Sequence, residues 1–560
     1  MSFPELWKEA CRRSQALYAL GLSRGDRVAL VLPEPDEFVL TFMACLAAGI
    51  VAVPMYPPQT LAKLEAYGDT VRHILTASGA KVLVTSETLR DLLASHLAAN
   101  ADVKVVLEAS VHGTDDAAQE PPPVGLDDLA FLQFTSGSTS KPKGVMVTFG
   151  NLAANAHAIM VDGLKSTPAD KGVSWLPLYH DMGLIGFVVA PLYTLVQVMF
   201  IPTMSFIRRP SIWLESIHRF RGTITFAPNF AYALATRAVT DAQASSWDLS
   251  CMRALGCGAE PIQAEVMRGF LNRFEKHGLA PTSVLPSYGM AESTLAITFH
   301  GITDTLKSER LDVDEMRKGD AVVTTHGGME LVACGRAFPG HELAIMSPAG
   351  QPLGERKVGE IWVRGPSVTK GYFGDARATE ETFGGGWLRT GDLGYVSAGE
   401  VYICGRAKDL VILNGKNYYP QDIEAVVSKS AGVRDGQCVA FSRLDDKGGE
   451  HCVVVAEARM GPRAGTAAEI TAQIIQIVRA EIGIVLAEVH LIKRGTLPKT
   501  SSGKVRRREA KYRLELGELE LLTEGDTLDS MPPPPPPAGP VSVAHSSRER
   551  TPAPTVALGG

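Results

Sequence analysis

The 560-residue sequence lacks the patterns that mark several protein classes. Its eight cysteines include no CxxC pair, which argues against a disulfide framework and a zinc site. No run of about 18 apolar residues occurs, so no membrane span is expected. The net charge of −6 lacks the basic excess that nucleic-acid binding requires. These absences predict a soluble cytoplasmic protein with no nucleic-acid partner.

The sequence also lacks a signal peptide and internal repeats. Its first residues, MSFPELWKEACRRS, are typical of an amphipathic helix. A chain of this length is too long for one hydrophobic core, so two or more domains are expected.

Short apolar runs alternate with helical segments through the first three quarters of the chain. Pro261–Lys276 is one predicted helix. The runs are nearly continuous in apolar character, as in strands that are buried on both faces of a parallel sheet. The pattern therefore predicts an α/β fold with mainly parallel sheets. The predicted strands are Arg27–Leu32, Lys81–Thr85, Leu129–Thr135, Gly172–Leu178, Thr223–Pro228 and Thr282–Gly289.

The pattern changes after about Gly405. Three strands and a helix predict a small α+β domain over residues 410–514, behind a large domain over residues 1–404. From residue 515 the composition becomes poor in apolar residues and includes MPPPPPPAGP at 531–540, which predicts a disordered tail over 515–560. The elements of the small domain are the strands Gln437–Arg443, His451–Ala458 and Glu488–Arg494 and the helix Thr466–Gly483.

The segment TSGSTSKPKG at Thr135–Gly144 follows a predicted strand directly. Glycines and small hydroxyl residues let backbone N–H groups fold around phosphate oxygens, and Lys141 and Lys143 add positive charge. The spacing is not the GxxxxGK(S/T) of a P-loop. For such a run alone, a flexible surface loop is the simpler interpretation.

Four further segments carry charged residues in positions that suit nucleotide chemistry. SYGMAES places Glu292 after a strand, where a hard oxygen ligand suits Mg²⁺, although Glu is also common at helix starts. RTGDLG places Asp392 in a tight turn, where it suits ribose hydroxyls or simply stabilises the turn. Arg406 in GRAKD either binds nucleotide or forms a surface ion pair. Lys504 in LPKTSSGKVRR lies in a Ser/Gly loop, and a solvated basic surface is the alternative.

In this order, TSGSTSKPKG, SYGMAES, RTGDLG, GRAKD and LPKTSSGK resemble the adenylate-forming superfamily of acyl-CoA synthetases, luciferases and peptide-synthetase adenylation domains. The resemblance covers about Pro33 to Arg508. It implies that ATP and Mg²⁺ are the cofactors and that the small domain rotates on the large one about a hinge at residues 405–409. The family usually has a further short segment before the opening helix, so either Met1 is not the true start or an N-terminal edge element is missing here.

The resemblance also implies roles for individual residues. Lys504 resembles the catalytic lysine that touches both the attacking carboxylate and the α-phosphate, and Glu292 resembles the Mg²⁺ ligand near Thr139. Asp392 and Arg406 resemble the ribose contacts, and Lys408 the hinge residue. The phosphate loop would include Thr135, Ser136, Gly137, Ser138, Thr139 and Lys143, and the adenine wall Gly258, Ala259, Glu260, Ser287, Tyr288 and Gly289.

Several segments resemble fatty acyl-AMP ligases more narrowly: SWLPLYHDMGLIG at 174–186, APNFAY at 227–232, LVACGRAFPG at 331–340, GEIWVRGPSVTKGY at 359–372 and YPQDIE at 419–424. That resemblance implies formation of a fatty acyl-AMP and transfer of the acyl group to the phosphopantetheine thiol of an acyl carrier protein. A fatty acyl-CoA synthetase, which shares the adenylation motifs, is the alternative. A catalytically silent homologue is disfavoured, because Lys504, Glu292 and Asp392 occur together.

The candidate substrate pocket contains Phe226, Asn229 and Phe230. No Asp or Glu occurs over Arg221–Ala235, which disfavours an amino-acid substrate because its ammonium group needs a carboxylate partner. The aromatic residues suit an apolar chain, although they suit an ordinary core equally well. By resemblance, His180 lies near the junction of acyl group and phosphate, and a structural histidine is the alternative.

The segment Lys307–Gly328 is the candidate insertion that distinguishes the two acceptor thiols. By resemblance, fatty acyl-AMP ligases carry an insertion here that restricts the swing of the small domain into the CoA-using orientation. Its apolar residues are expected to pack it against the large domain; they are Leu311, Val313, Met316, Val322 and Val323. A tolerated surface loop is the alternative interpretation.

Overall fold

The computed structural model describes residues 1–58, 64–97, 102–114, 119–135, 141–413, 416–444, 450–461, 464–500 and 505–522. Seventeen α-helices occur within these ranges. They are α1 Phe3–Ala19, α2 Pro35–Ala48, α3 Leu64–Ser78, α4 Glu87–Leu97, α5 Phe149–His157, α6 Asp181–Leu184, α7 Ala190–Thr194, α8 Thr203–Arg208, α9 Ser211–Phe220, α10 Asn229–Ala238, α11 Asp241–Ala244, α12 Ala264–Phe274, α13 Val313–Lys318, α14 Ala376–Phe383, α15 Pro420–Val427, α16 Ala467–Ile482 and α17 Arg507–Glu515.

Two large sheets form the first part of the molecule and share one hydrophobic core. The first has the order β4-β3-β1-β2-β5-β6 and is parallel except for the antiparallel pair β5–β6. Its strands are β1 Arg27–Val31, β2 Val51–Pro54, β3 Val82–Thr85, β4 Lys104–Leu107, β5 Leu129–Thr135 and β6 Lys143–Thr148.

The second large sheet has the order β15-β12-β11-β10-β9-β7-β8. Its strands are parallel from β8 through β11, and β12 and β15 add antiparallel to that edge. Its strands are β7 Lys171–Ser174, β8 Gln197–Phe200, β9 Ile224–Ala227, β10 Ala254–Cys257, β11 Val284–Gly289, β12 Ala296–Phe299 and β15 Arg336–Ala337.

A four-stranded antiparallel sheet follows and leads into the C-terminal unit. Its strands are β16 Glu342–Met346, β17 Gly359–Arg364, β18 Leu388–Ser397 and β19 Glu400–Arg406. A separate antiparallel pair, β13 Ser308–Leu311 and β14 Met329–Val332, brackets α13. The candidate insertion Lys307–Gly328 includes β13 and α13 and ends directly before β14.

The C-terminal unit is a three-stranded sheet with helices on both faces. Helices α15 and α16 pack on one face and α17 on the other, each over its own apolar cluster. The chain continues in this unit through Leu522, whose N–H donates to the carbonyl of Leu491 at 2.8 Å. The predicted tail boundary at 515 therefore lies inside the packed region, while residues 523–560 lie outside the described ranges. The strands of the unit are β22 Val433–Leu444, β23 Glu450–Ala458 and β24 Leu486–Ile492, preceded by the pair β20 Val411–Leu413 and β21 Lys416–Tyr418.

The predicted α/β class with mainly parallel sheets and a small α+β unit is confirmed. The opening helix begins with a capping box between Ser2 and Glu5. One predicted strand is too long, since β7 ends at Ser174. Pro177 lacks an N–H for a sheet ladder, and its carbonyl accepts from the N–H of His180 in a turn.

All eight cysteines are unpaired thiols. Among the helices that the structure describes, none is long and apolar enough to cross a lipid bilayer.

Candidate active site

Most of the candidate residues that the structure describes line a cleft of about 3570 Å³ between the large sheets and the C-terminal unit. Strands β9, β10 and β11 run parallel and end at the cleft. In α/β folds the carboxyl ends of parallel strands are where ligand-binding residues collect. This arrangement brings segments far apart in sequence to one place.

The backbones at the ends of β10 and β11 approach each other closely. The hydroxyl of Ser287 donates to the carbonyl of Cys257 at 3.1 Å. A Cβ at Gly258 would lie 2.7 Å from that hydroxyl oxygen, and one at Gly289 would lie 2.0 Å from the carbonyl oxygen of Leu295. Glycine is therefore required at both positions.

Asp392 is a buried carboxylate at the centre of a polar network. The phenolic O–H of Tyr288 donates to its Oδ2 at 2.7 Å, and Nε of Arg406 donates to its Oδ1 at 3.0 Å. Asp392 and Arg406 lie opposite each other in the β18–β19 ladder, which sets their separation. Burial raises the pKa of Tyr288 well above its usual value, so the phenol stays protonated and remains a donor. Each carboxylate oxygen keeps lone-pair capacity for a further donor such as a hydroxyl.

Glu292 lies just after β11 and is held by Tyr372, for which no role is predicted from the sequence. The O–H of Tyr372 donates to its Oε1 at 2.8 Å, and Nζ of Lys143 lies 5.1 Å from the centroid of the Tyr372 ring. Burial raises the pKa of the Glu292 carboxyl, while the bond from Tyr372 lowers it. Tyr372 ends the segment GEIWVRGPSVTKGY, but its contact with Glu292 spans 80 positions, so the local pattern does not predict it.

The donor set fits Mg²⁺, because this ion is usually held by one or two carboxylates together with substrate phosphates. No group of three or more His, Cys, Asp or Glu forms a metal cluster in the described ranges. A carboxylate that has lost part of its hydration is stabilised most by a nearby cation. Glu292 is therefore the residue that would hold the ion.

The two ends of the predicted phosphate loop are fixed in the first sheet. Thr135 ends β5 and lies opposite Lys143 at the start of β6. Nζ of Lys143 also lies 3.8 Å from Oδ2 of Asp375, a partner that the sequence did not suggest. The loop residues Ser136, Gly137, Ser138 and Thr139 lie outside the described ranges, as does Lys504.

The predicted pocket residues lie where β9 passes into α10. Phe226 is 8% exposed, and a Cβ at Gly256 would lie 2.0 Å from its ring, so the glycine makes room for the phenylalanine. Oδ1 of Asn229 accepts from the N–H of Gln263 at 3.1 Å. The ring of Phe230 packs edge-on against Trp175, with centroids 6.2 Å apart. Phe226, Asn229 and Phe230 all line the cleft.

Glu260 and His180 have structural contacts in addition to any role in binding. Oε1 of Glu260 accepts from the N–H of Phe230 at 2.7 Å in the first turn of α10, which favours a carboxylate there. His180 precedes α6, and its carbonyl accepts from the N–H of Leu184 at 2.8 Å. Both residues line the cleft. Ala259, which directly precedes Glu260, has a φ of 70°, so the chain turns sharply after β10.

The comparisons with known proteins agree with this geometry. The family model of AMP-binding enzymes matches residues 1–373, and that of the Disco-interacting protein 2-like AMP domain matches residues 408–521. A putative acyl-CoA synthetase of Caulobacter vibrioides is 37% identical, with 91% of this chain and 90% of the relative covered. The long-chain-fatty-acid–AMP ligase FadD26 of Mycobacterium tuberculosis is 36% identical, with 90% of each chain covered.

Two further matches carry more specific descriptions. The medium-chain-fatty-acid–acyl-carrier-protein ligase JamA of Moorena producens is 33% identical, with 89% of this chain and 87% of the relative covered. A solved structure from work on fatty acyl-adenylate ligases of E. coli and L. pneumophila superposes with a TM-score of 0.86 at 35% identity, with 92% of this chain and 93% of that chain covered.

Proposed function

This chain belongs to the AMP-binding enzymes and, within them, to the fatty acyl-AMP ligases, and on this premise we propose that it activates a fatty acid with ATP and passes the acyl group to an acyl carrier protein. The network of the buried Tyr288 and Asp392 with the half-exposed Arg406 is the observation that best supports nucleotide binding. It offers a carboxylate with spare lone pairs and a fixed guanidinium at the ends of the strands.

In the first half-reaction, a carboxylate oxygen of the fatty acid forms a bond to the α-phosphorus. The bond from the α-phosphorus to the bridging oxygen breaks, and pyrophosphate leaves. The nucleophile is already ionised near neutral pH, so no general base is needed. The barrier comes from bringing two anions together, and preorganised cations offset it. Arg406, Lys143 and Lys504 are the proposed cations, and Mg²⁺ held by Glu292 would neutralise the leaving group.

In the second half-reaction, the thiol sulfur of the phosphopantetheine arm attacks the acyl carbonyl carbon. The thiol proton passes to solvent, and AMP leaves through its phosphate oxygen. The change between the two half-reactions is proposed to use rotation of the C-terminal domain about Lys408. Lys408 lies in a single 3₁₀ turn, Ala407–Asp409, which links β19 to the C-terminal unit. A short linker of this kind is a suitable site for domain rotation.

The segment Lys307–Gly328 supports the carrier protein over CoA as the acceptor. Leu311 and Met316 are buried in a cluster that also contains Tyr419, beyond the hinge. The guanidinium of Arg317 lies 4.1 Å from the ring centroid of Tyr418. The segment thus contacts both sides of the hinge. Val322 and Val323 do not pack as predicted, since they are 45% and 54% exposed.

Mass analysis of the products tests the proposal. The purified enzyme is given fatty acids of several lengths, ATP and Mg²⁺, and then either CoA or a carrier protein with its phosphopantetheine arm. We expect acyl-AMP in both reactions and a thioester only on the carrier protein. Failure to form acyl-AMP with any fatty acid would reject the activity. Efficient formation of acyl-CoA would replace the ligase with a fatty acyl-CoA synthetase.

A further inference from the structure

Arg507, the first residue of α17, makes a four-bond clamp in the C-terminal unit. Its Nη1 donates to Oδ2 of Asp409 at 2.7 Å. Its Nε and Nη2 donate to Oε1 of Glu424 at 3.0 and 2.7 Å, and Nη2 also donates to Oε2 of Glu424 at 2.9 Å. The three side chains are 15–21% exposed, so solvent screens these contacts less than it screens surface pairs.

The two carboxylates that Arg507 holds belong to different parts of the unit. Asp409 follows Lys408 directly and ends the 3₁₀ turn. Glu424 lies on α15, and its Oε1 also accepts from the N–H of Ala440 on β22 at 2.9 Å. The clamp therefore joins the hinge turn, a helix and the central sheet.

Arg507 also stands at the end of the loop that carries Lys504. Backbone pairing closes the base of this loop: Lys499 lies opposite Val505, and the N–H of Arg506 donates to the carbonyl of Pro498 at 2.8 Å. The residue after this closure is Arg507. The position of the loop base relative to the hinge is thus set by the bond between Arg507 and Asp409.

The large domain has a matching attachment on the other side of the hinge. Arg406 is bonded to Asp392 in the four-stranded sheet at 3.0 Å, and Asp409 is bonded to Arg507 at 2.7 Å. Two residues, Ala407 and Lys408, separate these attachments. Rotation between them would carry the loop base as one body with the C-terminal unit.

We propose that Arg507 is a positioning residue that ties the Lys504 loop to the C-terminal side of the hinge, so that domain rotation delivers Lys504 to the reacting atoms. The inference rests on the proposed function. The guanidinium suits this task, because its planar fork binds two carboxylates at once. A lysine at this position keeps the charge but loses the fork.

A double-mutant cycle tests the inference. Arg507→Lys, Lys504→Ala and the double variant are compared for the rate of acyl-AMP formation and the KM for ATP, with single-turnover measurement of slow variants. Misplacing a catalytic group by about 1 Å costs roughly 100-fold in rate. We expect Arg507→Lys to lower kcat by about 10–100-fold, with KM for ATP changed less than about twofold. In the Lys504→Ala background it should have no further effect.

Arg513→Lys is the matched control, since Arg513 lies on the same helix and bonds Glu509 at 2.7 Å. If the rate losses of the two single variants add in the double variant, the inference is overturned, because Arg507→Lys then lowers the rate independently of Lys504, as a general loss of structure does. An equal loss in Arg513→Lys would overturn it as well. If Arg507→Lys folds poorly, Asp409→Asn takes its place, because it weakens the bond from Arg507 to the hinge turn, with the longer 3.7 Å contact to Arg508, and keeps the bonds from Arg507 to Glu424. A wild-type enzyme that forms no acyl-AMP would reject the proposed function itself.

Discussion

Asp422 is a partly buried carboxyl group at the start of α15, within electrostatic reach of Arg317 of the insertion. Burial raises its pKa to about 7, while Arg317 lowers it and Glu424 raises it further. In the unfolded chain the group has its ordinary pKa of about 3.9. The folded state therefore binds more protons between about pH 4 and pH 7. The free energy of unfolding falls as the pH rises through this window.

The substitution Asp422→Asn removes this titration and keeps the shape of the side chain. We expect its Tm to exceed that of the wild type at pH 8 and to match it near pH 4. A gain of 1 kcal/mol corresponds to roughly 2–4 °C. Calorimetric Tm values across this pH range are the measurement, with Asp127→Asn as a control because Asp127 is 96% exposed. Parallel Tm–pH curves for the wild type and Asp422→Asn would show that the group does not titrate in this way.

Single residues show what the sequence can and cannot predict. Asp392, Arg406 and Glu292 were chosen from their local segments, and the structure places all three at the cleft. Their partners could not be predicted, because Tyr288 and Asp392 are 104 positions apart and Tyr372 and Glu292 are 80 apart. Local patterns identify the charged residue, although Asp392 lies in β18 and not in the tight turn that RTGDLG predicts. Only the packing of separate sheets decides which donor meets it.

The insertion is an element with contacts on both sides of the hinge. Arg317→Ala removes the cation over the Tyr418 ring, a contact worth about 0.5–2 kcal/mol. We expect this variant to make several-fold more acyl-CoA than the wild type at an unchanged rate of acyl-AMP formation. Product analysis with CoA as the sole thiol is the measurement.

Lys318→Ala is the control for this variant, because Lys318 lies on the same helix and is 66% exposed. A rise in acyl-CoA with Lys318→Ala as well would point to general loosening of α13. Unchanged acyl-CoA output from Arg317→Ala would show that this contact does not restrict the small domain. Complete deletion of Lys307–Gly328 is a blunter test, because it also removes Leu311 and Met316 from a shared core.

The elements themselves were predicted better than their ends. Helix α16 begins after Thr466, which forms a capping box with Glu469, and ends at Gly483 in the left-handed region, so both ends follow from local signals. The predicted helix from Pro261 begins only at Ala264, since the N–H of Gln263 is bonded to Asn229, 34 positions away. Ends that depend on distant partners cannot be predicted from the local pattern.

At the scale of the whole molecule, Leu522 is the last residue that the structure describes. A chain of residues 1–522 should form acyl-AMP at the wild-type rate and unfold at the wild-type Tm. The segment 523–560 is rich in proline and poor in apolar residues, so it contributes little to a core. Acyl-AMP assays and calorimetry on the truncated chain check this expectation.

A second truncation, to residues 1–514, is the contrasting variant. It removes Leu519, which is 8% exposed, and the bonds that Glu520 and Leu522 make to the edge of β24. Removing a buried leucine costs about 2–5 kcal/mol, so this chain should be clearly less stable. Equal stability of the two truncated chains would show that residues 515–522 are dispensable. Loss of acyl-AMP formation in the chain of residues 1–522 would show that the segment 523–560 has a structural role.

Strand β6 is the outer strand of the first sheet, and the chain covers its edge with residues made much later. Val145 lies opposite Tyr372, and the amide of Asn151 donates to the carbonyl of Pro366, 215 positions further on. At a synthesis rate of about 5–20 residues per second, the ribosome needs roughly 10–45 s to make this stretch. During that time the nascent chain presents a bare strand edge, which invites pairing with other chains. Recovery of folded protein from a cell should therefore depend on translation speed and on chaperones that shield the edge during synthesis.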